Sequence, residues 1–230
     1  MKLSIIIPVY NEEGTVGQIL DGVLAVVLPP SVEKEIIAVN DGSTDRTSAI
    51  LKAYANQSCI RVITLEQNRG KSGAILEGLK LATGDVVLIQ DADLEYTPDQ
   101  YPILLEPILN KKADVVYGSR FLGTIKNMTF VNRWANGVST STVNCLYKSA
   151  ITDLHTGFKV FKREILKKFE LTSSGFSLDT ELTCKILKAG YTIVEVPIPY
   201  KARSREEGKK ITWASALKTY VTLFQCRFCK

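Results

Sequence analysis

The feature that most constrains this chain is a short apolar run that ends in closely spaced carboxylates. Residues 86–89 are Val-Val-Leu-Ile, and Asp91, Asp93 and Glu95 follow Gln90. An apolar run of this length, bounded by glycine and by charged residues, is typical of a strand that is buried on both faces. The carboxyl end of such a strand lies at the sheet edge where open α/β proteins bind ligands. The sequence therefore predicts a ligand site beside these acids.

Asp91 and Asp93 would repel each other unless a cation lies between them. Mg²⁺ or Mn²⁺ suits such a pair, because these ions can be held by few carboxylates together with the oxygens of a substrate diphosphate. An Asp-x-Asp sequence alone is a weak signal, because a solvated turn in which an Asp caps a helix gives the same pattern. The choice between a metal site and a turn depends on the rest of the chain.

Strand and helix patterns alternate along the first half of the chain, with short polar loops between them. Further strand-like apolar runs occupy residues 3–9, 35–39, 60–65 and 113–117. This alternation predicts a single α/β domain with a doubly wound, mainly parallel, Rossmann-like sheet flanked by helices. The elements predicted in the less regular second half are helices at 130–148, 163–169, 177–188 and 211–228 and strands at 156–161 and 191–196.

Polar side chains follow three of the predicted strands. Asn11 and Glu12 come after the first strand, Asp41 after the second, and Asp91 and Asp93 after the fourth. The carboxyl ends of parallel strands meet at one edge of a sheet, so we expect these five side chains to converge there. A purely structural domain has no reason to collect acids at that edge, and the convergence favours a binding site.

The charge of the chain is unevenly distributed. The net charge is +5, yet residues 201–230 contain eight Lys and Arg against two Glu. A basic segment after a neutral domain suggests an anionic partner, either a phosphate-bearing substrate or an anionic lipid surface. Nucleic acid fits less well, because the segment has no interleaved aromatic residues on which bases could stack. The alternative is a solvated basic tail.

Hydropathy and cysteine content suggest the compartment. No uncharged apolar stretch reaches the length of about 18 residues that a membrane-spanning helix needs. The five cysteines are scattered and odd in number, which argues against a disulfide framework and suits a reducing cytosol. We therefore expect a cytoplasmic protein, with peripheral contact to the cytosolic face of a membrane as a further option.

Four motifs extend along the first half of the chain. Residues 7–12 read Ile-Pro-Val-Tyr-Asn-Glu, residues 39–45 Val-Asn-Asp-Gly-Ser-Thr-Asp, residues 90–95 Gln-Asp-Ala-Asp-Leu-Glu and residues 118–120 Gly-Ser-Arg. In composition and order they resemble the motifs of the inverting family 2 glycosyltransferases, which have the GT-A fold. The resemblance implies an enzyme that takes a sugar from a nucleotide-diphosphate donor.

The second half narrows the resemblance to one branch of the family. Residues 133–136, 153–159 and 200–211 are similar to segments of dolichyl- and polyprenyl-phosphate glycosyltransferases. This similarity implies that residues 1–120 bind the nucleotide sugar. It implies that residues 121–230 bind the acceptor, with a basic loop and a helix at the C-terminal end.

The donor site that the resemblance implies is drawn from the ends of the first four predicted strands and the segments that follow them. Pro8 and Tyr10 would line the nucleoside pocket, Asp41 would read the base edge, and Lys71 would contact the phosphates. Gly70 and Lys71 also suit an ordinary helix start, so their role stays open. The implied donor residues are Pro8, Tyr10, Asn11, Glu12, Asp41, Gly70, Lys71, Gln90, Asp91, Ala92 and Asp93.

The metal of such a site would be Mg²⁺ or Mn²⁺, bound by Asp91 and Asp93 and bridging the two phosphates of the donor. Glu95 stands where many relatives of this branch have glutamine. It is either a third metal ligand or a residue that supports the ligands.

Arginines are the candidates for the acceptor phosphate, because a guanidinium binds phosphate with two parallel hydrogen bonds. Arg120, Arg133 and Arg203 fall at positions where similar arginines surround the acceptor phosphate in lipid-phosphate-using relatives. Each could instead form a surface ion pair.

Two acids are candidates for catalysis. Asp153 occupies a position proposed for catalysis in polyprenyl-phosphate relatives, and Asp179 lies in a segment similar to the one that supplies the base in hydroxyl-using relatives. A hydroxyl acceptor needs a general base, whereas a phosphate acceptor is already anionic and needs orientation. His155, the only histidine, is expected to be structural.

We therefore expect a metal-dependent inverting hexosyltransferase that uses a GDP-mannose- or UDP-glucose-type donor and a polyprenyl or dolichyl phosphate acceptor. One alternative keeps the donor but uses a sugar or protein hydroxyl as acceptor. Another is a non-catalytic nucleotide-sugar-binding subunit. A separate membrane-anchoring subunit is a possible partner, and nucleic acid is not expected.

Overall fold

The computed structural model describes residues 1–172, 177–202 and 213–228, with side chains in the last range from residue 218 onwards. The described strands are β1 (Lys2–Val9), β2 (Glu33–Asn40), β3 (Ile60–Thr64), β4 (Val86–Ile89), β5 (Val115–Ser119), β6 (Ile125–Lys126), β7 (Lys159–Lys162), β8 (Ile193–Pro197) and β9 (Tyr200–Lys201). The described α-helices are α1 (Val16–Ala25), α2 (Thr47–Tyr54), α3 (Gly70–Leu81), α4 (Tyr101–Leu109), α5 (Phe130–Tyr147), α6 (Arg163–Leu166), α7 (Ser177–Lys188) and α8 (Trp213–Phe228), and a short 3-10 helix at Pro98–Gln100 precedes α4.

In the described part of the chain, seven strands form one sheet in the order β3-β2-β1-β4-β7-β5-β8. β7 runs antiparallel to both of its neighbours, and the other pairings in this sheet are parallel. β6 and β9 form a separate parallel pair. Because β1, β2 and β4 are parallel neighbours, the loops that follow them meet at one edge of the sheet, as the sequence predicted.

Both faces of the sheet are covered. Along β1, Ile5 and Ile7 pack toward α1 and α4, whereas Ile6 packs toward α3. All four residues of β4 are buried, with Val86 and Leu88 on the first face and Val87 and Ile89 on the second. A strand that is buried on both sides needs apolar residues at every position, which explains the uninterrupted apolar run.

At the opposite edge, where the strands begin, Glu35 joins three segments. Its carboxylate accepts hydrogen bonds from Ser4 on β1 and from the Thr83 amide (2.6 Å) and hydroxyl (2.7 Å) before β4, and it pairs with Lys2 at 2.6 Å. Burial alone would raise the pKa of Glu35, but these donors outweigh burial and lower it to about 2. Glu35 therefore stays charged and fixes the starts of β1 and β4 relative to β2.

Candidate active site at the carboxyl edge of the sheet

The loop after β1 is bound to the loop after β2. Asn11 has a left-handed backbone (φ 52°), and its side-chain oxygen accepts a hydrogen bond from the Thr44 amide at 2.8 Å. The backbone N–H of Asn11 donates to the Ser43 hydroxyl at 3.0 Å, and the backbone N–H of Glu12 donates to the Thr47 hydroxyl at 2.9 Å. The first two motifs are thus held together by hydrogen bonds. Pro8 lies buried within β1, and Tyr10 is half-buried at its end.

Asp41 connects the second motif to the start of α3. Its side chain is 1% exposed, and Oδ1 accepts a hydrogen bond from the Arg69 amide at 2.7 Å. Oδ2 is buried and has no hydrogen-bond partner among the described residues. Burial raises the pKa of this carboxyl group. Gly42 has φ 70°, and a Cβ there would lie 3.1 Å from the Asn68 nitrogen, so the close approach of the two loops requires glycine.

Gln90 fixes the conformation of the third motif through buried hydrogen bonds. It is fully buried, its Oε1 accepts a hydrogen bond from the Tyr101 hydroxyl at 2.8 Å, and its Nε2 donates to the carbonyl groups of Asp91 (2.8 Å) and Tyr96 (3.1 Å). Ala92 is also buried in the core. The side chain of Gln90 therefore holds the loop that presents Asp91 and Asp93.

Asp91 has a lysine in contact with it. Lys71 Nζ, from the first turn of α3, lies 2.6 Å from Asp91 Oδ1. Asp93 is 8% exposed, and its Oδ1 accepts a hydrogen bond from the Glu95 amide at 3.0 Å. The Glu95 carboxylate accepts a hydrogen bond from the Tyr200 hydroxyl at 3.0 Å, which fits a supporting role better than metal ligation.

Within the described residues, no three His, Cys, Asp or Glu side chains lie close enough together to hold a metal ion. The residues present nevertheless fit Mg²⁺ or Mn²⁺. The carboxylate of Asp91 already contacts a cation, the ammonium group of Lys71, and Asp93 interacts electrostatically with the same group. Two carboxylates at such a site would need the oxygens of a ligand to complete the coordination.

Asp179, on α7, is a further acid near Lys71, besides Asp91 and Asp93. It forms an ion pair with Lys159 Nζ at 3.0 Å, and Lys159 is fully buried on β7. Burial alone would raise the pKa of Asp179, but Lys159 and Lys71 outweigh it and hold the pKa below its ordinary value. Asp179 is therefore an anion at neutral pH with little tendency to accept a proton.

Asp153 is bound at both oxygens by one arginine. Arg120 Nε lies 2.7 Å from Oδ2 and Nη2 lies 2.7 Å from Oδ1, and the Arg120 amide also donates to Oδ2 at 3.0 Å. The two side chains are 7% and 0% exposed, so this is a buried ion pair. The guanidinium carbon of Arg120 lies 5.0 Å from the centre of the Tyr200 ring. Asp153 thus orients Arg120 toward the Tyr200–Glu95 contact.

The remaining predicted residues are distributed over a wider surface. Gly70 has a left-handed backbone (φ 74°) at the start of α3, beside the Lys71–Asp91 pair. Arg133 is exposed in the first turn of α5, whereas Arg120 and Asp153 form a buried pair. Arg203 lies outside the described residues. His155 contacts the Ser139 hydroxyl at 3.1 Å, and burial lowers its pKa to about 4, so it is neutral at pH 7.

The family model for glycosyl transferase family 2 matches residues 4–169, more than half of the chain. The chain belongs to glycosyl transferase family 2. The matched region contains the Asn11, Asp41, Asp91 and Asp93 loops and the Arg120–Asp153 pair. The family resemblance seen in the sequence is thereby confirmed.

Curated relatives of this family 2 chain include lipid-linked sugar synthases. It is 30% identical over 214 residues to dolichol-phosphate mannosyltransferase of Pyrococcus furiosus, covering 91% of this chain and 59% of the relative. It is 29% identical over 207 residues to the low-salt glycan biosynthesis hexosyltransferase Agl6 of Haloferax volcanii, covering 89% and 49%. The chain thus spans only about half to three fifths of these two proteins. Polyprenol monophosphomannose synthase of Mycolicibacterium smegmatis is 32% identical over 216 residues, covering 88% and 78%.

Solved structures of similar shape include glucosyl-3-phosphoglycerate synthase of Mycobacterium tuberculosis. Its complex with Mn²⁺, UDP and phosphoglyceric acid has a TM-score of 0.78 and 20% identity, covering 100% of this chain and 79% of that one. Its complex with Mg²⁺ and UDP has a TM-score of 0.76 and 21% identity, covering 98% and 79%. At this identity the likeness shows the fold, and it confirms the single-domain GT-A architecture predicted for this family 2 chain.

Sequence reasoning missed four residues of the site. Lys159 pairs with Asp179, and Glu195 binds the amide of Asp153. Tyr200 donates a hydrogen bond to Glu95. Gly157 lies so close to Asp91 that a Cβ would be 2.7 Å from Oδ2. The available signal was Lys159, a charged residue between Phe158 and Val160 in an apolar run, because a buried lysine requires an acidic partner.

Proposed function

We propose that this family 2 chain is a metal-dependent inverting glycosyltransferase that moves a hexose from a nucleoside-diphosphate sugar to a polyprenyl phosphate. The observation that carries the proposal is the state of its two candidate bases. Both oxygens of Asp153 bind Arg120, and Asp179 is held as an anion of low basicity by Lys159 and Lys71. Neither acid is suited to remove a proton from a hydroxyl, so an acceptor that is already anionic fits the site best.

The donor half of the proposal rests on Asp41 and α3. The buried, unpartnered Oδ2 of Asp41 can accept a hydrogen bond from the N–H edge of a base. Asp41 binds the Arg69 amide at the start of α3, and Lys71 in the first turn of this helix adds an ammonium group; a helix start and a cation both favour phosphate. The UDP complexes of the structurally similar synthase support a nucleotide donor.

Asp91 and Asp93 would hold the divalent ion. When bound, the ion would offset the negative charge that develops on the leaving nucleoside diphosphate. Glu95 would act indirectly, since its carboxylate binds Tyr200. The Mn²⁺ and Mg²⁺ complexes of the similar synthase support this choice of ion.

The acceptor half rests on Arg120. Asp153 fixes the plane of its guanidinium group, and Glu195 in turn accepts hydrogen bonds from the amides of Thr152 (2.7 Å) and Asp153 (3.0 Å). A guanidinium held in this way can orient an anionic acceptor for in-line attack without a proton transfer. The names of the mannose-transferring relatives support a polyprenyl phosphate in this role.

Contact with a membrane would bring this chain to a polyprenyl substrate. None of the helices among the described residues is long and apolar enough to cross a membrane. The first turns of α5 expose Phe130 (80%), Val131 (56%) and Trp134 (63%) next to Arg133. Exposed aromatic residues beside a cation suit the interface of a lipid surface, so we propose that this end of α5 contacts the membrane.

A thermal-shift screen tests the donor half. With Mn²⁺ present, one of GDP-mannose, UDP-glucose and related nucleotide sugars should raise the melting temperature, because a ligand that binds the folded state stabilises it. Asp93→Asn should abolish the Mn²⁺-dependent part of the shift, whereas Asp99→Asn, at an exposed position, should retain it. If no nucleotide sugar shifts the melting temperature, the proposal fails. Binding without turnover would instead identify a non-catalytic nucleotide-sugar-binding subunit.

A further inference from the structure

The contact between Lys71 and Asp91 places a cation where the proposed function requires a metal. Lys71 Nζ lies 2.6 Å from Asp91 Oδ1, and the two side chains are 28% and 17% exposed. The pair joins the first turn of α3 to the loop after β4. It is partly shielded from water, so it is worth more than an ion pair on the surface.

Lys71 interacts with three acids at once. Asp91, Asp179 and Asp93 all act on it electrostatically. Asp179 pairs with Lys159 at 3.0 Å, and Asp91 is the acid that contacts Lys71 directly, at 2.6 Å.

A divalent ion that arrives alone meets an incomplete site. Among the described residues no third acid, histidine or cysteine completes a metal-binding group with Asp91 and Asp93. The ion would have to displace the Lys71 ammonium group and would then keep most of its coordination as water. Both facts make binding of the free ion weak.

A nucleoside diphosphate would remove both obstacles to metal binding, the lack of ligands and the competition from Lys71. Its phosphate oxygens would supply further metal ligands, and its negative charge would give Lys71 a partner other than Asp91. The metal and the diphosphate would then bind cooperatively, and each would raise the affinity of the other by the same factor.

We propose that Lys71 is a built-in counter-cation that neutralises Asp91 until a nucleoside diphosphate draws it away, so that metal binding depends on the nucleotide. This inference rests on the metal site of the proposed function. It goes further by assigning the order of binding to one lysine side chain. A protein with this arrangement avoids holding a divalent ion in the absence of donor.

Titration of Mn²⁺ followed by electron paramagnetic resonance tests the inference. Free Mn²⁺ is measured for the wild type, Lys71→Met, Lys71→Arg and Lys80→Met, each with and without UDP or GDP. Lys80 is a matched control, because it lies on the same helix and pairs only with Glu77 in the described structure, at 2.9 Å.

We expect Lys71→Met to bind Mn²⁺ about five- to tenfold more tightly than the wild type without nucleotide, the range for loss of a competing, partly buried ion pair. Lys71→Arg and Lys80→Met should retain the weak affinity of the wild type. UDP or GDP should tighten Mn²⁺ binding about tenfold or more in the wild type, and by a smaller factor in Lys71→Met.

Three outcomes overturn the inference, and they can be distinguished from one another. If the wild type binds Mn²⁺ with nucleotide but Lys71→Met binds free Mn²⁺ no more tightly than Lys80→Met, Lys71 is not a counter-cation and the proposed function stands. If the wild type does not bind Mn²⁺ even with nucleotide, the metal site itself fails. A wild type whose Mn²⁺ affinity is the same with and without nucleotide also overturns the inference, without reliance on any variant.

Discussion

Asp153 is the residue whose environment most clearly separates two catalytic roles. Both of its oxygens bind Arg120, and its side chain is fully buried. A general base must have an oxygen free to take a proton from the acceptor. We therefore regard Asp153 as a positioning residue that fixes Arg120.

Replacing Asp153 with asparagine tests this assignment. The variant leaves a buried guanidinium without its anion, and we expect a loss of about 3–5 kcal/mol in the free energy of unfolding. It should raise the KM for the lipid-phosphate acceptor more than it lowers kcat. The shape of the pH–rate profile should be unchanged, because no base has been removed. Loss of the acidic limb of that profile would assign Asp153 as the base instead.

Asp114→Asn is the matched control for that variant. Asp114 also pairs with a cation, Lys162 at 2.6 Å, but its side chain is 45% exposed. Surface ion pairs contribute about 0–1 kcal/mol, so urea denaturation should separate the two variants clearly.

At the scale of elements, the approach of the segment before β7 to the loop after β4 controls the position of Asp91. A Cβ on Gly157 would lie 2.7 Å from Asp91 Oδ2 and 2.7 Å from Tyr96 Cε2. The hydroxyl of Tyr96 also accepts a hydrogen bond from the Gly157 amide at 3.0 Å. One added methyl group must therefore move Asp91 or the tyrosine ring.

We expect Gly157→Ala to lower stability by about 1–3 kcal/mol through overpacking. It should also weaken Mn²⁺ binding in the presence of nucleotide, because Asp91 is displaced. Gly137→Ala is the control. Gly137 lies on α5 with nothing within 4 Å of an added Cβ, and alanine there should stabilise the helix by about 0.5–1 kcal/mol. Equal effects of both variants on Mn²⁺ affinity would refute the role of Gly157.

The first turns of α5 carry the proposed membrane contact. Replacing Phe130 and Trp134 together with serine removes the two most exposed aromatic side chains of this helix. We expect about fivefold or greater weakening of binding to anionic vesicles, since partial burial of each ring contributes on the order of 1 kcal/mol. Val27→Ser, at a position that is 84% exposed away from this helix, should bind like the wild type.

Sedimentation with vesicles that contain phosphatidylserine measures this binding. A wild type that stays in the supernatant would contradict direct contact and would favour attachment through a separate anchoring subunit. Binding that is equally strong in the double variant would move the contact to another surface.

In the molecule as a whole, the candidate site lies at the edge where the strands end, and a stabilising carboxylate, Glu35, lies at the edge where they begin. Glu35 at the edge where the strands begin has a pKa of about 2, below the ordinary value of 4.5. Its carboxylate is favoured in the folded state, so its contribution to stability is complete above about pH 4.5 and is lost as the pH falls toward 2.

Glu35→Gln should therefore lower the free energy of unfolding by about 1–2 kcal/mol at pH 7, and the difference from the wild type should shrink as the pH falls from 5 to 3. Transferase activity per folded molecule should be unchanged, because Glu35 is remote from the carboxyl edge. Glu33→Gln, at an exposed position of the same strand, is the control. A constant difference across this pH range would contradict the assignment.

The sequence predicted most of the sheet because β1 to β4 are encoded locally, by apolar runs between polar loops. It did not predict that β7 runs antiparallel between β4 and β5. The β4–β7 pairing joins residues at least 70 positions apart along the chain, from Ile89–Lys159 to Val86–Lys162. The short pair of β6 and β9 was missed for the same reason.

The site was predictable to the extent that strand ends determine it. Asp41, Asp91 and Asp93 follow strands, and their convergence follows from parallel pairing. The partners that define their chemistry do not follow from local sequence. Tyr200 and Glu95 lie 105 positions apart, and Lys159 comes from the antiparallel strand. Only the folded chain shows that both carboxylate oxygens of Asp153 bind Arg120.

We propose a phosphate acceptor because neither Asp153 nor Asp179 is suited to serve as a base. The most direct measurement compares sugar transfer to a short-chain polyprenyl phosphate with transfer to the same polyprenol without phosphate, using the donor found by thermal shift and Mn²⁺. We expect a sugar-linked lipid from the phosphate alone, and loss of that product in Asp93→Asn. Equal or faster transfer to the free polyprenol, or to a soluble sugar hydroxyl, would contradict the phosphate acceptor.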